Sequence, residues 1–243
     1  MTSRKFRERL HRRAKAAGLD LPEALAGGLE AYYLELAKWN AKVNLTAFSL
    51  VNGGSDAAID RLLIEPLIAA RRLAPSATSL LDAGSGGGSP AIPLKLARPD
   101  LTLHMVEIKV RKSVFLRQVA RTLSLTKTHV HTVRFEELLT RADLHESLSA
   151  VSIRAVRVDA QVITTLQAFL APGGEILRFT TAQADTPPPV PPMVQVGVHE
   201  LLAGNRSRLV VLRKERLGGR AGAFHVKHPQ LSEDSIDAMR HHG

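Results

Sequence analysis

The sequence predicts an α/β fold in which a mostly parallel sheet carries helices on both faces and follows a helical segment. Three observations predict this fold. Up to about residue 75 the chain carries helical patterns. From residue 79 onward, short apolar runs alternate with helical candidates, as in a doubly wound sheet. After a proline-rich stretch (residues 185–193), two strand-like runs follow with no helix between them.

The N-terminal region predicts two helices. In residues 22–45, apolar side chains recur every three or four positions, which is the spacing of one helix face. These side chains are Leu25, Leu29, Tyr32, Tyr33, Leu36 and Trp39. A second helix is expected in residues 56–74, with a kink or break at Pro66, because proline supplies no N–H to the helix.

The alternating region predicts five strands. They are expected at residues 79–83, 101–108, 128–133, 148–154 and 174–180. Helical candidates lie at residues 90–97, 110–124, 134–141 and 157–170. Pro172, Gly173 and Gly174 predict a sharp turn before the fifth strand.

The last two strand-like runs, residues 193–202 and 207–214, predict an antiparallel hairpin around the turn at 203–206. Five strands in βα units followed by a hairpin form the layout of the seven-stranded class I methyltransferase sheet. A dinucleotide-binding Rossmann domain more often ends in a parallel sixth strand.

The stretch LLDAGSGGGSP (residues 80–90) places glycines where the first strand ends. Doubly wound folds bind ligands at this edge of the sheet. Gly84, Gly86 and Gly88 permit a tight turn and leave no Cβ against a ligand. A ligand that approaches the backbone closely is therefore expected here.

Glu107, at the end of the second strand, can accept hydrogen bonds from both hydroxyls of an adenosine ribose. A glycine loop with such an acid serves NAD enzymes and S-adenosylmethionine (SAM) enzymes alike, so the pair does not choose between them. The G-x-G-x-G spacing after Asp82 resembles a methyltransferase loop. The dinucleotide spacing G-x-G-x-x-G is matched only if Ala91 takes the last place.

Composition and charge limit the classes of partner. None of the 243 residues is cysteine, which excludes thiol and zinc–thiolate chemistry. No apolar run approaches the roughly 20 residues of a membrane span, so we expect a cytoplasmic protein without a membrane partner. Residues 1–17 hold seven basic side chains against one acid, and residues 206–228 hold the same balance. Two basic ends predict a polyanionic partner; solvated termini are the alternative.

The segments KWNAKVNLTA (38–47), LLDAGSGGGSPAIPL (80–94) and VFLRQVARTLSL (114–125) together resemble the bacterial glucose-inhibited division protein B family. The resemblance extends from about residue 30 to residue 213. It implies a SAM-dependent methyltransferase that methylates N7 of a guanine in 16S (small-subunit) ribosomal RNA. The RNA or a 30S-type subunit is then the partner, and we expect the enzyme to be a monomer.

The resemblance also implies roles for single residues. The implied cofactor-binding residues are Asp82, Gly84, Gly86, Gly88, Ser89, Glu107, Phe135, Glu136 and Arg154. The glycine loop and the backbone near Ser89 would hold the methionine part, Glu107 the ribose, and Phe135 with Glu136 the adenine.

Arg154, in the segment SIRAV, is the expected catalytic residue. It would position the guanine by donating to O6. A salt bridge at a strand end is the alternative role. Guanine N7 has a lone pair and no proton, so the transfer requires positioning and not a general base.

Basic residues near this region are expected to contact RNA phosphates. They are Arg61, Arg111, Lys112 and Arg117. For the last three, a solvated helix face is the alternative. No metal site is expected, because His129 and His131 share a strand face without a carboxylate at ligand spacing. Four further histidines lie in the tail, where we expect no fixed geometry: His225, His228, His241 and His242.

The chain departs from the family pattern on its substrate side. The family's Arg-His-x-x-Asp-Ser reads RLLIEP here (residues 61–66), and Thr180-Thr181 replaces Lys-Gly. A catalytically eroded SAM- or RNA-binding paralogue therefore stays open as an alternative, as does an NAD(P)-dependent Rossmann oxidoreductase. For Asn40 and Asn44, helix capping and a functional role are both open.

We divide the chain into three regions. Residues 1–75 form a helical cap with a basic first segment, residues 76–214 form the SAM-binding Rossmann-like core, and residues 215–243 form a basic, flexible tail.

Overall fold

The computed structural model describes residues 2–155, 157–181, 190–204 and 206–216. Most of the proline-rich stretch and nearly all of the tail, with its four histidines, lie outside the described residues.

After residue 20 the α-helices lie within the predicted helical segments, and a further helix precedes them. The α-helices are α1 (Ser3–Ala16), α2 (Glu23–Val43), α3 (Asp56–Ile59), α4 (Glu65–Ala70), α5 (Ala91–Ala97), α6 (Val110–Thr122) and α7 (Ala160–Gln167). A π-turn (Asp60–Ile64) joins α3 to α4. The predicted helix at 134–141 is a 3-10 helix, Phe135–Thr140. Further short 3-10 helices are Val51–Gly53 and Ala142–Leu144.

Within the described residues, seven strands form one sheet in the order β3-β2-β1-β4-β5-β7-β6. They are β1 (Ser79–Ala83), β2 (Thr102–Val106), β3 (Thr128–His131), β4 (Leu148–Arg154), β5 (Leu170–Thr181), β6 (Met193–Glu200) and β7 (Ser207–Lys214). The first five are parallel, and β7 is antiparallel to both β5 and β6. This order confirms the predicted fold class and the terminal hairpin.

The parallel strands bring three predicted site segments to one edge of the sheet. Because β1 lies between β2 and β4, the carboxyl ends of these strands are neighbours. The glycine loop follows β1, Glu107 follows β2, and Arg154 ends β4. Residues that are up to 70 positions apart in sequence therefore meet, as do Asp82 and Ser152 in the β1–β4 ladder.

The predicted turn before the fifth strand is wrong in its position. β5 begins at Leu170, and residues 172–174 form a bulge inside it. Leu148 pairs with Leu170, whereas Ala150 pairs with Glu175, so β5 carries three extra residues over this span. Gly173 has φ +89°, a conformation that glycine adopts without steric cost.

Two apolar clusters cover the two faces of the sheet. One contains side chains of the N-terminal helices, α5, α6 and one sheet face; the other contains α7 and the opposite face. Leu45 is buried in the first cluster and Trp39 packs against it, with its ring 5.8 Å from that of Phe115. Both residues therefore pack between the helical cap and the core, as expected. The first cluster joins the two regions, and the division at residue 75 stays a prediction.

The structure corrects our interpretation of the basic N-terminal segment. Helix α1 buries Phe6, Leu10 and Ala14 against the cap. All five of its arginines form ion pairs with acids of α1, α2, α3 or the π-turn: Arg4, Arg7, Arg9, Arg12 and Arg13. The charge that predicted a polyanionic partner at this end is thus largely neutralised within the protein.

Three histidines stack on the outer strands of the sheet. His104 on β2 lies between His129 and His131 of β3, with ring centroids 5.0 and 5.4 Å away. His104 Nδ1 is 3.1 Å from His131 Nε2. Burial and the neighbouring His129 lower the pKa of His104 to about 4, and burial lowers that of His131. Among the described residues, no group of three or more histidine, aspartate or glutamate side chains is arranged to hold a metal ion.

We expect this stack to make the folded protein sensitive to mild acid. In the unfolded chain His104 takes up a proton near pH 6.5, but in the folded protein only near pH 4. Its contribution to stability is therefore complete above pH 6.5 and is lost as the pH falls toward 4. Thermal unfolding at pH 7 and pH 5 should show a smaller fall in Tm for His104→Leu than for the wild type. Equal falls would contradict this assignment.

Candidate active site

The glycine loop is held by hydrogen bonds to the end of β2. The N–H groups of Gly84 and Ser85 donate to the Val106 carbonyl at 3.0 and 2.8 Å. Glu107 Oε2 accepts from the Gly86 N–H at 2.9 Å, and its Oε1 accepts from the Lys109 N–H at 2.8 Å. The predicted ribose acid therefore also fixes the shape of the loop beside it.

The loop after α2 closes over the glycine loop. Asn40 Oδ1 accepts from the N–H groups of Leu45 and Thr46 at 2.7 and 2.8 Å, and its Nδ2 donates to the Phe48 carbonyl at 3.4 Å. Asn44 adopts φ +53° and ends the helix. The two asparagines of KWNAKVNLTA thus have different roles: Asn44 terminates α2, and Asn40 shapes the loop at residues 45–48.

Buried contacts fix the distance between the two loops. Tyr32 of α2 donates its hydroxyl hydrogen to the Gly87 carbonyl at 2.7 Å. A Cβ on Gly87 would lie 3.1 Å from the Leu45 carbonyl oxygen and 3.2 Å from a Leu36 methyl group. The close approach of the loop at residues 45–48, the cap loop, thus favours glycine at position 87.

Between these loops lies a cavity of about 460 Å³, a size typical of small-molecule sites. Its lining comes from the cap loop, the π-turn, the glycine loop and the ends of β2 and β4. The lining includes Leu45, Thr46, Phe48, Arg61, Leu62, Gly84, Gly86, Gly87, Ser89, Glu107, Lys109, Lys112 and Arg154.

The carboxylates of Glu107 and Asp82 fit a ligand that carries an adenosine ribose and a positive charge. Each Glu107 oxygen already accepts one N–H and keeps lone pairs for a hydroxyl. Asp82, behind the glycine loop, accepts from the Ser152 hydroxyl at 2.5 Å through Oδ1. Its Oδ2 has no hydrogen-bond partner among the described residues. Burial raises the pKa of Asp82, and the Ser152 hydroxyl opposes that shift, so a nearby positive charge would favour its ionised form.

Arg154 is buried in the wall of this cavity. Its Nη1 donates to the Arg61 carbonyl and to Ser89 Oγ, and its Nη2 lies 3.1 Å from Glu65 Oε2. Its guanidinium carbon lies 4.2 Å from the centroid of the Phe179 ring, a cation–π contact. Burial and the charge of Arg61 lower the pKa of Arg154, and Glu65 opposes them. The predicted salt bridge and the predicted place at the site thus coexist.

Not every predicted site residue lines the cavity. Gly84, Gly86, Ser89, Glu107 and Arg154 do, and so do Arg61 and Lys112 of the predicted RNA-binding set. The others lie elsewhere; Asp82, for example, is buried in β1 behind the glycine loop.

Gly88 has φ +85°, and a Cβ there would lie 2.4 Å from a methyl group of Ile92, so its role is in the turn itself. Phe135 packs against the second apolar cluster, and Glu136 is exposed. Arg111 is exposed on α6. Arg117 donates to Thr132 Oγ1 at 2.6 Å and to the Val130 carbonyl at 3.3 Å on β3. The cofactor and RNA roles of these residues stay predictions.

Sequence reasoning missed three groups of this site. Tyr32 carries the periodicity of a core residue, and nothing local shows that its hydroxyl meets Gly87. Glu65 belongs to a segment that looked eroded, yet it is buried beside Arg61 and Arg154. Lys109 follows Glu107 by two residues, and only the folded structure shows that it lines the cavity.

Comparisons with known proteins identify the family of this chain. A family model described as rRNA small subunit methyltransferase G matches residues 26–186. A protein named Ribosomal RNA small subunit methyltransferase G from Ralstonia nicotianae is 35% identical over 185 residues, covering 74% of this chain and 80% of that protein. The protein of the same name from Burkholderia thailandensis is 37% identical over 177 residues, covering 71% and 74%.

Among solved structures, the putative methyltransferase yhhF from Escherichia coli aligns with a TM-score of 0.53 and 16% identity. The alignment covers 63% of this chain and 86% of that one. At this identity the similarity concerns the fold alone.

Proposed function

This chain belongs to the rRNA small subunit methyltransferase G family, and from that premise we propose that it transfers a methyl group from SAM to N7 of a guanine in small-subunit ribosomal RNA. The family makes it a SAM-dependent rRNA methyltransferase. The guanine N7 target and the residue roles below are our proposals.

We assign cofactor binding to the glycine loop and the acid beside it. Glu107 would accept hydrogen bonds from the ribose hydroxyls, and Gly84, Gly86 and Ser89 would face the methionine part. Asp82 is buried at the end of β1, and its Oδ2 has no hydrogen-bond partner among the described residues, so it would favour positive charge in that part. When bound, SAM supplies a methyl group on a sulfonium, which a neutral nitrogen lone pair can attack.

The protein's contribution to the reaction is positioning. Guanine N7 carries no proton, so the reaction needs no general base. The side chains must instead align the guanine with the methyl group and exclude water. Arg154 has a fixed guanidinium in the cavity wall and would hold the base by donating to O6. The cap loop at residues 45–48, held by Asn40, would cover the site.

The observation that best supports an RNA substrate is the charge of the cavity. Its lining carries four cations, Arg61, Lys109, Lys112 and Arg154. Two carboxylates face them: Glu107 in the lining and Glu65, which pairs with both arginines. SAM has two positive groups and one negative group, so it does not need this excess. An anionic second substrate does, and RNA phosphates supply the negative charge.

Methyl transfer with labelled SAM and small-subunit RNA, as naked RNA and as subunits, would test the proposal directly. Mass mapping of the product should place the label as N7-methylguanine. Label at another position would overturn the N7 assignment, and no transfer to either substrate would overturn the proposed function.

The excess positive charge leads to a second measurement. Lys109→Gln and Lys112→Gln should each weaken RNA binding and reduce the slope of log K against log salt by about one. The matched controls are Lys5→Gln and Lys15→Gln, exposed lysines of α1, which should leave the slope unchanged. If the control variants change the slope as much as the cavity variants do, the RNA does not enter over this cavity.

The alternatives are not favoured by the comparisons. An NAD(P)-dependent oxidoreductase does not agree with the family or with the antiparallel β7. The alternative of an eroded paralogue rests on Leu62 and Thr180. Thr180 is buried in β5 and does not line the cavity, whereas Leu62 does. None of the described helices is long and apolar enough to cross a membrane. We propose a cytoplasmic location, because ribosomal subunits are assembled in the cytoplasm. That the protein is a monomer stays a prediction.

A further inference from the structure

We propose that Glu65 is a positioning residue, which holds Arg61 and Arg154 in the cavity wall through a π-turn stabilised by Pro66. The inference rests on the proposed function and adds to it how the substrate side of the site is built. It concerns the segment in which the chain departs from the family pattern.

The helix geometry immediately before Pro66 is that of a π-turn. The Glu65 N–H donates to the Asp60 carbonyl, five residues back, and not to Arg61, four residues back. In a π-turn the next donor to Arg61 would be the N–H of residue 66, but proline has none. The Arg61 carbonyl is thereby left for Arg154 Nη1, which donates to it.

Pro66 also leaves the neighbouring carbonyl, that of Leu62, without a helical N–H donor at residue 66. In an α-helix the Leu62 carbonyl would accept from residue 66, which is again Pro66. Ser89 Oγ donates to this carbonyl at 2.8 Å. Ser89 also lies 3.3 Å from Arg154 Nη1. The irregular turn therefore links α4 to both the glycine loop and the end of β4.

Arg61 and Arg154 share the carboxylate of Glu65. Glu65 is 1% exposed, and its Oε2 lies 2.9 Å from Arg61 Nη1 and 3.1 Å from Arg154 Nη2. Arg61 Nη1 also donates to Ser207 Oγ of β7 at 3.2 Å. One buried acid thus orients two cations that both line the cavity.

A purely structural role explains this cluster poorly. A buried ion-pair cluster often contributes little net stability, because desolvation offsets the attraction, and apolar residues of the same volume commonly do as well. What the cluster does provide is a fixed direction for two guanidinium groups. Arg154 is held by Arg61, Ser89, Glu65 and Phe179, so its orientation is set before the base arrives. Such preorganisation is what positioning catalysis needs.

The test compares Glu65→Gln, Glu65→Asp and the wild type. Glutamine keeps the size of the side chain but removes its charge, and kcat/KM for RNA should fall on the order of 10²-fold. The affinity for SAM, measured by calorimetry, should change by less than about threefold, because Arg154 is the one assigned cofactor residue among the hydrogen-bond partners of Glu65 in the described part of the chain. Glu65→Asp should recover part of the lost kcat/KM.

Pro66→Ala supplies an independent variant. It restores an N–H that can compete for the Arg61 and Leu62 carbonyls, so it should lower kcat for RNA while Tm stays the same or rises. Unchanged kcat/KM in Glu65→Gln, assayed well below its Tm, would overturn the inference, as would equal effects on SAM and RNA. If the wild type itself does not methylate RNA, the proposed function fails and not this assignment.

Discussion

Replacing Glu107 by alanine should weaken SAM binding about 5- to 150-fold, which corresponds to about 1–3 kcal/mol. The Glu107 carboxylate is nearly buried and accepts from the N–H groups of Gly86 and Lys109. Its remaining lone pairs are the ones that we assign to the ribose hydroxyls. Alanine removes these acceptors and leaves both N–H groups without their partner. Calorimetric titration with SAM measures the change.

The control for this variant separates the ribose contact from the shape of the loop. Tyr32→Phe removes the hydrogen bond to the Gly87 carbonyl, which braces the same loop from the cap side. It should weaken SAM binding only a few-fold, because it deletes no acceptor for the ribose. If affinity does not change in Glu107→Ala, the ribose contact is wrong. If Tyr32→Phe has an equal effect, loop geometry is the cause.

Replacing Leu10 by alanine should destabilise the protein by about 2–5 kcal/mol, the usual range for a buried leucine. Leu10 is 0% exposed and lies in the first apolar cluster. Next to it on the same face, Phe6 packs 4.8 Å from the ring of Tyr33. Helix α1 should therefore behave as part of the folded cap. Chemical denaturation measures the free energy of unfolding.

Lys15→Ala on the exposed face of the same helix is the matched control and should change stability by less than about 0.5 kcal/mol. Together the two variants distinguish a docked helix from a solvated basic arm. An unchanged free energy of unfolding in Leu10→Ala would show that helix α1 does not pack on the cap in solution. Its basic charge would then again indicate a polyanionic partner.

Local patterns in the sequence were sufficient for the framework of this protein. The strands and helices of the α/β core follow from periodicity, and the antiparallel hairpin follows from two strand-like runs around a short turn. The glycine loop and Glu107 could be paired because both follow strand ends, and parallel strands end at one edge of a sheet. Each of these inferences depends on neighbours in sequence or on a general rule of topology.

Side-chain pairing over long distances could not be predicted in this way. The arginines of α1 predicted a polyanionic partner because two of the acids that pair with them, Asp56 and Asp60, are more than 40 residues away. Similarly, RLLIEP looked eroded because Glu65 acquires its role only beside Arg154, 89 residues later. The histidine stack likewise depends on the pairing of β3 with β2, which brings His104 beside His129 and His131.

Sequence patterns were enough to assign the fold class, the order of the elements, the glycine loop with its acid, and the family. Periodicity, turn residues and motif spacing all act over a few residues, or over a connection whose handedness is constrained. The tertiary structure alone decided which charges are neutralised and which carbonyls the π-turn exposes. It also decided which side chains close the cavity. These depend on three-dimensional distances between residues far apart in the chain, and no local pattern contains them.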